Sequence, residues 1–172
     1  MIFILSDEIN SGKSTIIGQM VDEALSVSKS VSGFFTPAHM DNNKKIGHDI
    51  VFIEDGKKSN PAPFTRELEF ENSTKWRRFY FSDDAIKTAK ALNVAANLFI
   101  IDEIGPLELA EKRGFYELFS GACRTSKNLL CVVRKSSLSD ALNFITKEKS
   151  AVFSLNESKE LIEQILNILT NS

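Results

Sequence analysis

The sequence predicts an α/β fold in which a mostly parallel sheet carries helices on both faces. Two observations predict it. Short, fully apolar runs of the kind that form buried parallel strands recur along the chain. Segments with apolar residues at helical spacing lie between them, and such alternation favours parallel strands joined by crossover helices. At 172 residues the chain suits one core, so we expect a single domain spanning residues 1–172.

The elements follow in chain order, each from its own pattern. Apolar runs bounded by polar residues predict the strands Met1–Leu5, Val31–Thr36, Leu98–Ile101, Asn128–Val133 and Ala151–Leu155. Helical spacing of apolar residues predicts the helices Lys13–Ser26, Leu107–Thr125, Leu138–Thr146 and Ser158–Leu169. A further helix begins at Ser82-Asp83-Asp84, where a capping serine precedes two acids that the helix dipole favours.

Residues 33–81 differ from the rest because they contain most of the turn-forming residues. Ile50–Ile53 is a short apolar run, and the Asp55-Gly56 pair behind it indicates a hairpin turn. Arg77–Phe81 is short and aromatic and predicts another strand. We interpret this region as a β-rich insertion of small antiparallel strands packed beside the main sheet, and not as a second domain.

Composition excludes several classes of function. A formal net charge of −2 and a pI near 5.8 give no electrostatic basis for nucleic-acid binding. No apolar run approaches the length of a spanning helix, and Met1–Leu5 is too short for a signal peptide. Cys123 and Cys131 have no histidine companions, match no zinc pattern and form no disulfide framework. We therefore expect a cytoplasmic protein with two free thiols, acting as a monomer or weak oligomer without a membrane partner.

Gly12-Lys13-Ser14 follows the first apolar strand and opens a helix, as a phosphate-binding loop requires. The first N–H groups of a helix lack partners within it, and the dipole makes that end positive. We expect Lys13 to neutralise the β- and γ-phosphates as part of catalysis, and Ser14 to hold Mg²⁺. The expected nucleotide-binding residues are Asn10, Ser11, Gly12, Lys13, Ser14 and Thr15. The alternative interpretation is an ordinary capped helix start.

Asp7 occupies the position at which such a loop usually has its first glycine. Glycine gives the loop backbone freedom and close approach to phosphate, whereas aspartate adds a Cβ and a negative charge. If the carboxylate faces the phosphates, it weakens binding; if it turns outward, it only stiffens the loop. We expect Asp7→Gly to strengthen nucleotide binding, and an equal or weaker affinity would show that the aspartate is accommodated.

Asp102 and Glu103 follow four apolar residues at the end of a predicted strand. Ligands of open α/β sheets bind outside the carboxyl ends of the strands, so this pair is expected at the same edge as the phosphate loop. Asp102 would hold Mg²⁺, directly or through water, and Glu103 would deprotonate the attacking water. The alternative is two solvated acids in a turn.

These motifs belong to a longer pattern that resembles the cancer-related nucleoside-triphosphatase family, a group of small P-loop proteins. The matching segments are Gly12-Lys13-Ser14-Thr15, Gly33-Phe34-Phe35-Thr36, Gly47-His48-Asp49-Ile50-Val51, the run from Ile101 to Leu109, and Val152–Leu166. The resemblance implies a RecA-like P-loop NTPase fold that hydrolyses nucleoside triphosphates with Mg²⁺ as cofactor. It also implies loose choice among ATP, GTP and other nucleotides.

Several other side chains are candidates for this site. Glu108 either helps order the water or metal, or is an acid favoured at a helix start. Arg113 and Arg134 could reach the γ-phosphate, although a surface role is the common one for arginine. The family position near Asn156 could contact the base and Phe35 could stack on it, but Glu157 stands where relatives are expected to have arginine. We interpret His48 as structural.

We therefore expect hydrolysis of the β–γ bond of nucleoside triphosphates. A small P-loop kinase is the enzyme alternative, but such kinases need an acceptor pocket and usually an arginine-rich lid, and the insertion has few arginines. A nucleotide-dependent switch with little turnover is the alternative without catalysis.

Overall fold

The computed structural model describes residues 1–8, 12–28, 30–145 and 150–171. The strands are β1 (Ile2–Asp7), β2 (Val31–Phe35), β3 (Ala38–Asp41), β4 (Lys44–Glu54), β5 (Lys57–Lys58), β6 (Ala62–Arg66), β7 (Ser73–Trp76), β8 (Phe79–Ser82), β9 (Leu98–Ile104), β10 (Leu129–Arg134) and β11 (Ser150–Phe153). The helices are α1 (Lys13–Val27), α2 (Asp83–Lys90), α3 (Pro106–Leu109), α4 (Tyr116–Thr125), α5 (Leu138–Phe144) and α6 (Ser158–Thr170). Lys135–Ser137 and Leu155–Glu157 form short 3₁₀ turns.

All these strands belong to one sheet, with the order β11-β1-β10-β9-β2-β4-β6-β8-β7, and β3 and β5 both pair with β4. The strands β11, β1, β10, β9 and β2 pair in parallel, which confirms the predicted central sheet. Parallel strands of this kind are buried on both faces, and their fully apolar sequences follow from that burial.

The antiparallel strands extend this sheet instead of packing beside it. β4 pairs antiparallel with β2, and β6, β8 and β7 continue outward from it. This differs from the expected insertion because β4 is 11 residues long and forms hydrogen bonds directly to the edge of β2 opposite β9. Gly33 to Phe35 belong to the parallel part, so the antiparallel part begins at Ala38.

Helices cover both faces, as predicted, and each face has its own core. On one face α1 and α6 bury apolar side chains that include Ile17, Met20 and Leu161. On the other, α2, α4 and α5 contribute Ala89, Phe119 and Ala141. Apolar side chains alternate between the two cores along each parallel strand, because successive residues point to opposite faces.

Two predicted elements differ from the structure. The single helix predicted from Leu107 to Thr125 is two helices, because Lys112 and Gly114 between them have positive φ values of 54° and 57°. The strand predicted from Arg77 begins at Phe79, because Trp76 pairs with Phe79 and the two arginines between them form the hairpin turn. The expected turn at Asp55-Gly56 and the Ser82 cap, whose Oγ accepts from Ala85 N at 3.1 Å, are confirmed.

None of the described helices is both long enough and apolar enough to cross a membrane.

Gly33 allows β2 to pack directly against β9. Its φ of 130° is a backbone conformation that residues other than glycine rarely adopt. A Cβ at this position would also lie 2.1 Å from the Ile100 carbonyl oxygen. We expect Gly33→Ala to lower the free energy of unfolding by about 3 kcal/mol or more, measured by urea denaturation. Gly121→Ala in α4 is the control: a Cβ there meets nothing within 4 Å, so about 0.5 kcal/mol of stabilisation is expected. Equal stability of the two variants would contradict this packing.

Candidate active site

The carboxyl ends of four parallel strands lie side by side at one edge of the sheet. Asp7 at the end of β1 pairs with Arg134 at the end of β10. Val133 pairs with Ile104 of β9, and Phe34 of β2 pairs with Ile101. This register brings the end of β1, Arg134 and the Asp102-Glu103 pair to one edge, where open α/β sheets bind ligands. β10 lies between β1, which precedes the Gly12-Lys13-Ser14 motif, and β9, which contains Asp102 and Glu103. Arg134, at the end of β10, therefore lies between the two motifs.

Helix α1 begins at Lys13, directly after Gly12. Gly12 caps the helix in a left-handed conformation, with φ of 97° and ψ of 9°. The first turn contains no acid, so its N–H groups and dipole favour an anion. Ser14 is half-buried and Thr15 is exposed, while Asn10 and Ser11 lie outside the described residues.

The Lys13 ammonium group folds back over the start of the loop. Its Nζ donates to the Asp7 carbonyl oxygen at 3.0 Å and also to the Glu8 carbonyl oxygen. The lysine therefore lies over the same loop that the sequence motif assigns to phosphate.

The Asp7 side chain is committed to backbone groups. One carboxylate oxygen accepts from Glu8 N at 2.7 Å, and the other accepts from Leu155 N at 3.1 Å. These hydrogen bonds hold the pKa of the Asp7 carboxyl below its ordinary value. Asp7 thus links the phosphate loop to the 3₁₀ turn that follows β11, which is a role that glycine could not fill.

Asp102 is a buried carboxylate at the end of β9, with 2% of its surface exposed. Its Oδ2 accepts from Thr36 N at 2.8 Å and from Thr36 Oγ1 at 2.9 Å, and its Oδ1 accepts from Glu103 N. Burial, together with the neighbouring charge of Glu103, raises the pKa of Asp102. A buried anion of this kind is stabilised by a cation, so its chemistry fits a divalent metal.

The described residues contain no cluster of three or more His, Cys, Asp or Glu side chains that could hold a metal alone. Proteins usually bind Mg²⁺ through one or two carboxylates together with substrate phosphates and water.

Glu103 adopts a left-handed conformation, with φ of 66°. Its Oε2 accepts from Arg134 Nη2 at 2.7 Å, and its Oε1 lies 3.9 Å from His48 Nε2. Burial alone would raise the pKa of Glu103, but the neighbouring positive charge, chiefly that of Arg134, holds it below its ordinary value. Burial lowers the pKa of the His48 imidazole.

The antiparallel strands supply residues that sequence reasoning missed. His48, which the sequence analysis interpreted as structural, lies with its Nε2 3.9 Å from Glu103 Oε1. Lys45, also on β4, lies in the electrostatic field of Glu103, Arg134 and Lys13, and burial lowers the pKa of its ammonium group. In the sequence, the Gly47-His48-Asp49 segment could have indicated a position for His48 near the site. No sequence feature indicated Lys45, because its position depends on how β4 pairs with β2.

Arg113 does not join this cluster, whereas Glu108 lines one cleft with Glu103 and Arg134. Arg113 lies 3.9 Å from Glu111 and lines a separate cleft beside Gly114. Glu108 is buried, and its carboxylate accepts from Gly105 N at 3.1 Å and from Phe115 N at 3.3 Å. It therefore holds the turn around α3 in place. Burial raises the pKa of Glu108 to about 7, although the two N–H groups oppose that shift.

The two candidates for base recognition differ in their environment. Phe35 is buried in the core beside Gly18 of α1, so it does not present a ring for stacking. Asn156 is exposed on the 3₁₀ turn that Asp7 anchors. Glu157 is occupied in that turn: its Oε2 accepts from Ser154 N at 2.8 Å and Ser154 Oγ at 2.7 Å.

A parallel sheet with a Gly-Lys-Ser helix start and two acids ending a nearby strand defines the class of P-loop NTPases. Comparison with known proteins identifies the family: a family model described as NTPase matches residues 2–166, so the chain belongs to that family. This confirms the resemblance seen in the sequence and assigns nucleoside-triphosphatase activity, with nucleoside triphosphate as substrate.

The relatives are distant but cover most of the chain. It is 26% identical over 144 residues to the nucleoside-triphosphatase THEP1 of Sulfurisphaera tokodaii, covering 82% of each protein. It is 25% identical over 165 residues to THEP1 of Thermotoga petrophila, covering 92% of this chain and 87% of that one.

Two solved structures have the same fold. The human cancer-related nucleoside triphosphatase matches with a TM-score of 0.66 at 18% identity, covering 99% of this chain and 97% of that one. THEP1 from Aquifex aeolicus matches with a TM-score of 0.62 at 18% identity, covering 98% and 99%.

Two substitutions separate the effect of the Asp7 charge on nucleotide affinity from the effect of its hydrogen bonds. We expect Asp7→Asn to bind nucleoside triphosphate about fivefold more tightly, because the amide oxygen still accepts a backbone hydrogen bond while the negative charge is lost. Asp7→Gly should gain less, since it loses both backbone hydrogen bonds that the side chain accepts, from Glu8 N and from Leu155 N. Titration with a fluorescent triphosphate measures both affinities. An Asp7→Asn affinity equal to that of the wild type would show that the charge does not act on the phosphates.

Glu108 should make stability depend on pH. Its pKa rises from 4.5 to about 7 on folding, so the native state holds a proton that the unfolded state releases. The contribution of Glu108 to stability is therefore fully present below pH 4.5 and is lost as pH rises to about 7, by on the order of 1 kcal/mol per pH unit. Glu108→Gln should remove this slope in urea denaturation between pH 5 and 7.

Glu117→Gln is the comparison for that experiment. The ion pair with Lys90 lowers the pKa of Glu117. The contribution of Glu117 to stability therefore has the opposite pH dependence and is lost as pH falls. An unchanged slope in Glu108→Gln would rule out a proton on Glu108.

Proposed function

We propose that residues 1–172 form a single P-loop NTPase domain that hydrolyses the β–γ bond of ATP, GTP and other nucleoside triphosphates with Mg²⁺. Gly12, Lys13, Ser14 and Thr15 bind the phosphates, together with Asn10 and Ser11. Ser14 and Asp102 hold the metal, and Glu103 is the general base. One observation carries the proposal: the start of α1 and the Asp102-Glu103 pair lie at the same sheet edge, one strand apart.

The chain's own groups account for substrate binding. The N–H groups at the start of α1 and the Lys13 ammonium group neutralise phosphate charge. Binding requires Lys13 to exchange the carbonyl oxygens of Asp7 and Glu8 for phosphate oxygens, which are the stronger acceptors because they are charged. When bound, Mg²⁺ supplies charge stabilisation on the transferring phosphoryl group.

Glu103 orients water and takes its proton during attack on the γ-phosphorus. In the present conformation Arg134 holds this carboxylate at 2.7 Å, which weakens it as a base. A γ-phosphate placed beside Arg134 competes for the guanidinium group, so substrate binding releases Glu103 and places a positive charge on the phosphoryl group.

Loose base specificity is consistent with the surroundings of Asn156. Phe35 is in the core and the Glu157 carboxylate is bonded within its own turn. Of these three side chains, that of Asn156 is exposed and available to contact a base. Such a contact discriminates weakly, because specificity of this kind requires buried polar groups that a wrong substrate would leave unpaired.

The remaining expectations concern location and assembly. Cys123 and Cys131 are free thiols, which supports a reducing, cytoplasmic compartment. We propose that the enzyme acts as a monomer or weak oligomer and needs no nucleic acid.

Phosphate release from a panel of nucleoside triphosphates tests the hydrolase. We expect Glu103→Gln to lower kcat by about 100-fold or more while leaving nucleotide affinity nearly unchanged, because it removes the base and keeps the shape. Lys13→Ala should lose affinity as well. Glu163→Gln on the exposed side of α6 is the matched control and should retain wild-type turnover.

Two outcomes contradict parts of the proposal. Unchanged turnover in Glu103→Gln would remove its assignment as base. Tight binding without phosphate release at saturating Mg²⁺ would favour the nucleotide switch over the hydrolase.

A further inference from the structure

The two oxygens of the Glu103 carboxylate face different partners. Oε2 accepts from Arg134 Nη2 at 2.7 Å, whereas Oε1 lies 3.9 Å from His48 Nε2. A distance of 3.9 Å is too long for a direct hydrogen bond, but it suits a water molecule that contacts both atoms. Arg134 therefore occupies one oxygen of the proposed base, and the other faces an imidazole across a gap of the right size for a water-mediated contact.

Strand β6 holds His48 in place through its backbone and through its ring. His48 on β4 pairs with Thr65 on β6, and the Thr65 hydroxyl oxygen accepts from the His48 backbone N–H at 3.1 Å. The same hydroxyl lies 3.2 Å from His48 Nδ1. Arg66 adds a further connection, since its Nη1 donates to the carbonyl oxygens of His48 at 2.6 Å and of Thr65 at 2.9 Å. The direction in which the ring points is therefore set by the pairing of these two strands.

The contacts with Thr65 select one tautomer of His48. Thr65 is buried, and its hydroxyl proton therefore needs an acceptor. Within the part of the chain that the structure describes, His48 Nδ1 is the acceptor that this hydroxyl contacts. When Nδ1 accepts, the proton of a neutral imidazole lies on Nε2. Burial lowers the pKa of His48, which favours the neutral form, so His48 presents an Nε2–H donor on the side of Glu103.

A small cleft lies where these side chains meet. Its volume is about 40 Å³, and its polar lining includes His48, Thr65, Glu103 and Arg134. One water molecule needs on the order of 10–15 Å³ of such space and two to four polar partners. Aromatic side chains make up much of the remaining lining, so water is stabilised beside the polar groups and not elsewhere in the cleft. The cleft therefore suits water in both its size and its chemistry.

We propose that His48 and Glu103 together hold the attacking water, with His48 Nε2–H donating to the water oxygen and Glu103 Oε1 accepting the water proton. This inference rests on the proposed hydrolysis and on Glu103 as its base. The water oxygen forms a bond to the γ-phosphorus through its remaining lone pair, while the bond from that phosphorus to the β–γ bridging oxygen breaks. The bridging oxygen leaves with the nucleoside diphosphate, the water proton passes to Glu103, and His48 keeps its own proton. Thr65 is a positioning residue, because it acts through the ring of His48.

The imidazole supplies what the carboxylate alone lacks. A carboxylate that accepts one proton of a water leaves the water free to turn about that single hydrogen bond. A donor on the water oxygen removes this freedom and directs the remaining lone pair. A neutral imidazole does so without the cost of a cation, because a positive charge lowers the proton affinity of Glu103, as Arg134 does.

Two amides at position 48 test the donor in the whole chain with ATP and Mg²⁺. Glutamine reaches as far as Nε2 and keeps an N–H there, whereas asparagine is one bond shorter and reaches only the position of Nδ1. We expect His48→Asn to lower kcat about tenfold and His48→Gln to retain at least about half of the wild-type kcat. The affinity of both variants for a fluorescent triphosphate should equal that of the wild type, because the lost contact is made to water.

The same change at the other histidine is the control. His39 lies on β3, and its Nδ1 contacts Asp49 Oδ2 at 2.9 Å. His39→Asn should therefore retain wild-type turnover.

Thr65 gives a second test that leaves the imidazole in place. Thr65→Val keeps the shape of the side chain and removes the hydroxyl, so the tautomer of His48 is no longer fixed and kcat should fall about fivefold at unchanged nucleotide affinity. Thr65→Ser keeps the hydroxyl and should keep the wild-type kcat. Thr74→Val removes an exposed hydroxyl on β7 and should leave turnover unchanged.

Coupling to Glu103 distinguishes this role from a general effect on the fold. In a chain that already carries Glu103→Gln, we expect His48→Asn to lower the remaining kcat by less than about twofold, because the two side chains act on one water molecule and their losses do not add. A further tenfold loss in that background would give His48 a role independent of the base and would overturn the inference.

Failure of this inference differs from failure of the hydrolase. Wild-type turnover in His48→Asn, or a His48→Gln variant as slow as His48→Asn, would overturn the water site and leave the hydrolase intact. If substitution at position 48 damages folding and nucleotide affinity is lost, the Thr65 variants decide, and equal turnover of Thr65→Val and Thr65→Ser would overturn the inference. No phosphate release from the wild type, as in Lys13→Ala, would overturn both.

Discussion

The geometry of the candidate site depends on the two hydrogen bonds that Thr36 donates to Asp102. They join the end of β2 to the end of β9 through a carboxylate that is almost fully buried. Hydrogen bonds to a charged group in a low-dielectric interior are strong, and removing one partner would leave the other unsatisfied. With Asp102 held in this way, the chain turns sharply at Glu103 and directs its carboxylate toward Arg134. The position of the proposed base therefore follows from a contact between two strands that are distant in sequence.

The antiparallel part of the sheet has a functional consequence. Because β4 bonds to β2, which in turn bonds to β9, the extension reaches the same edge as the carboxylates. His48 and Lys45 enter the charged cluster from it. Gly47 permits that arrangement, since a Cβ there would lie 1.9 Å from the Thr65 carbonyl oxygen. The extension thus forms one side of the candidate site.

Much of the fold could be predicted because each parallel strand is buried on both faces and each helix on one. Burial on both faces produces the unbroken apolar runs of β1, β9 and β10, and burial on one produces the periodic pattern of α1 and α6. Helix boundaries within residues 107–125 could not be predicted in this way, because positive φ values at Lys112 and Gly114 interrupt an otherwise helical pattern. The start of β8 was misplaced because a turn of two arginines has none of the usual turn-forming residues.

The sequence by itself determined the class of this protein: an α/β sheet, a phosphate loop at Gly12-Lys13-Ser14, and two acids at the end of a buried strand. These features are local, because each depends on the order of neighbouring residues. Only the tertiary structure decided that Asp7 anchors the turn at Leu155, that Arg134 holds Glu103, and that Glu108 braces a loop. The contacts of Asp7 and Arg134 join residues brought together by strand order and register, which periodicity within a single segment does not specify. Glu108 instead bonds within one short stretch of chain, where the positive φ values of the turn place Phe115 beside it.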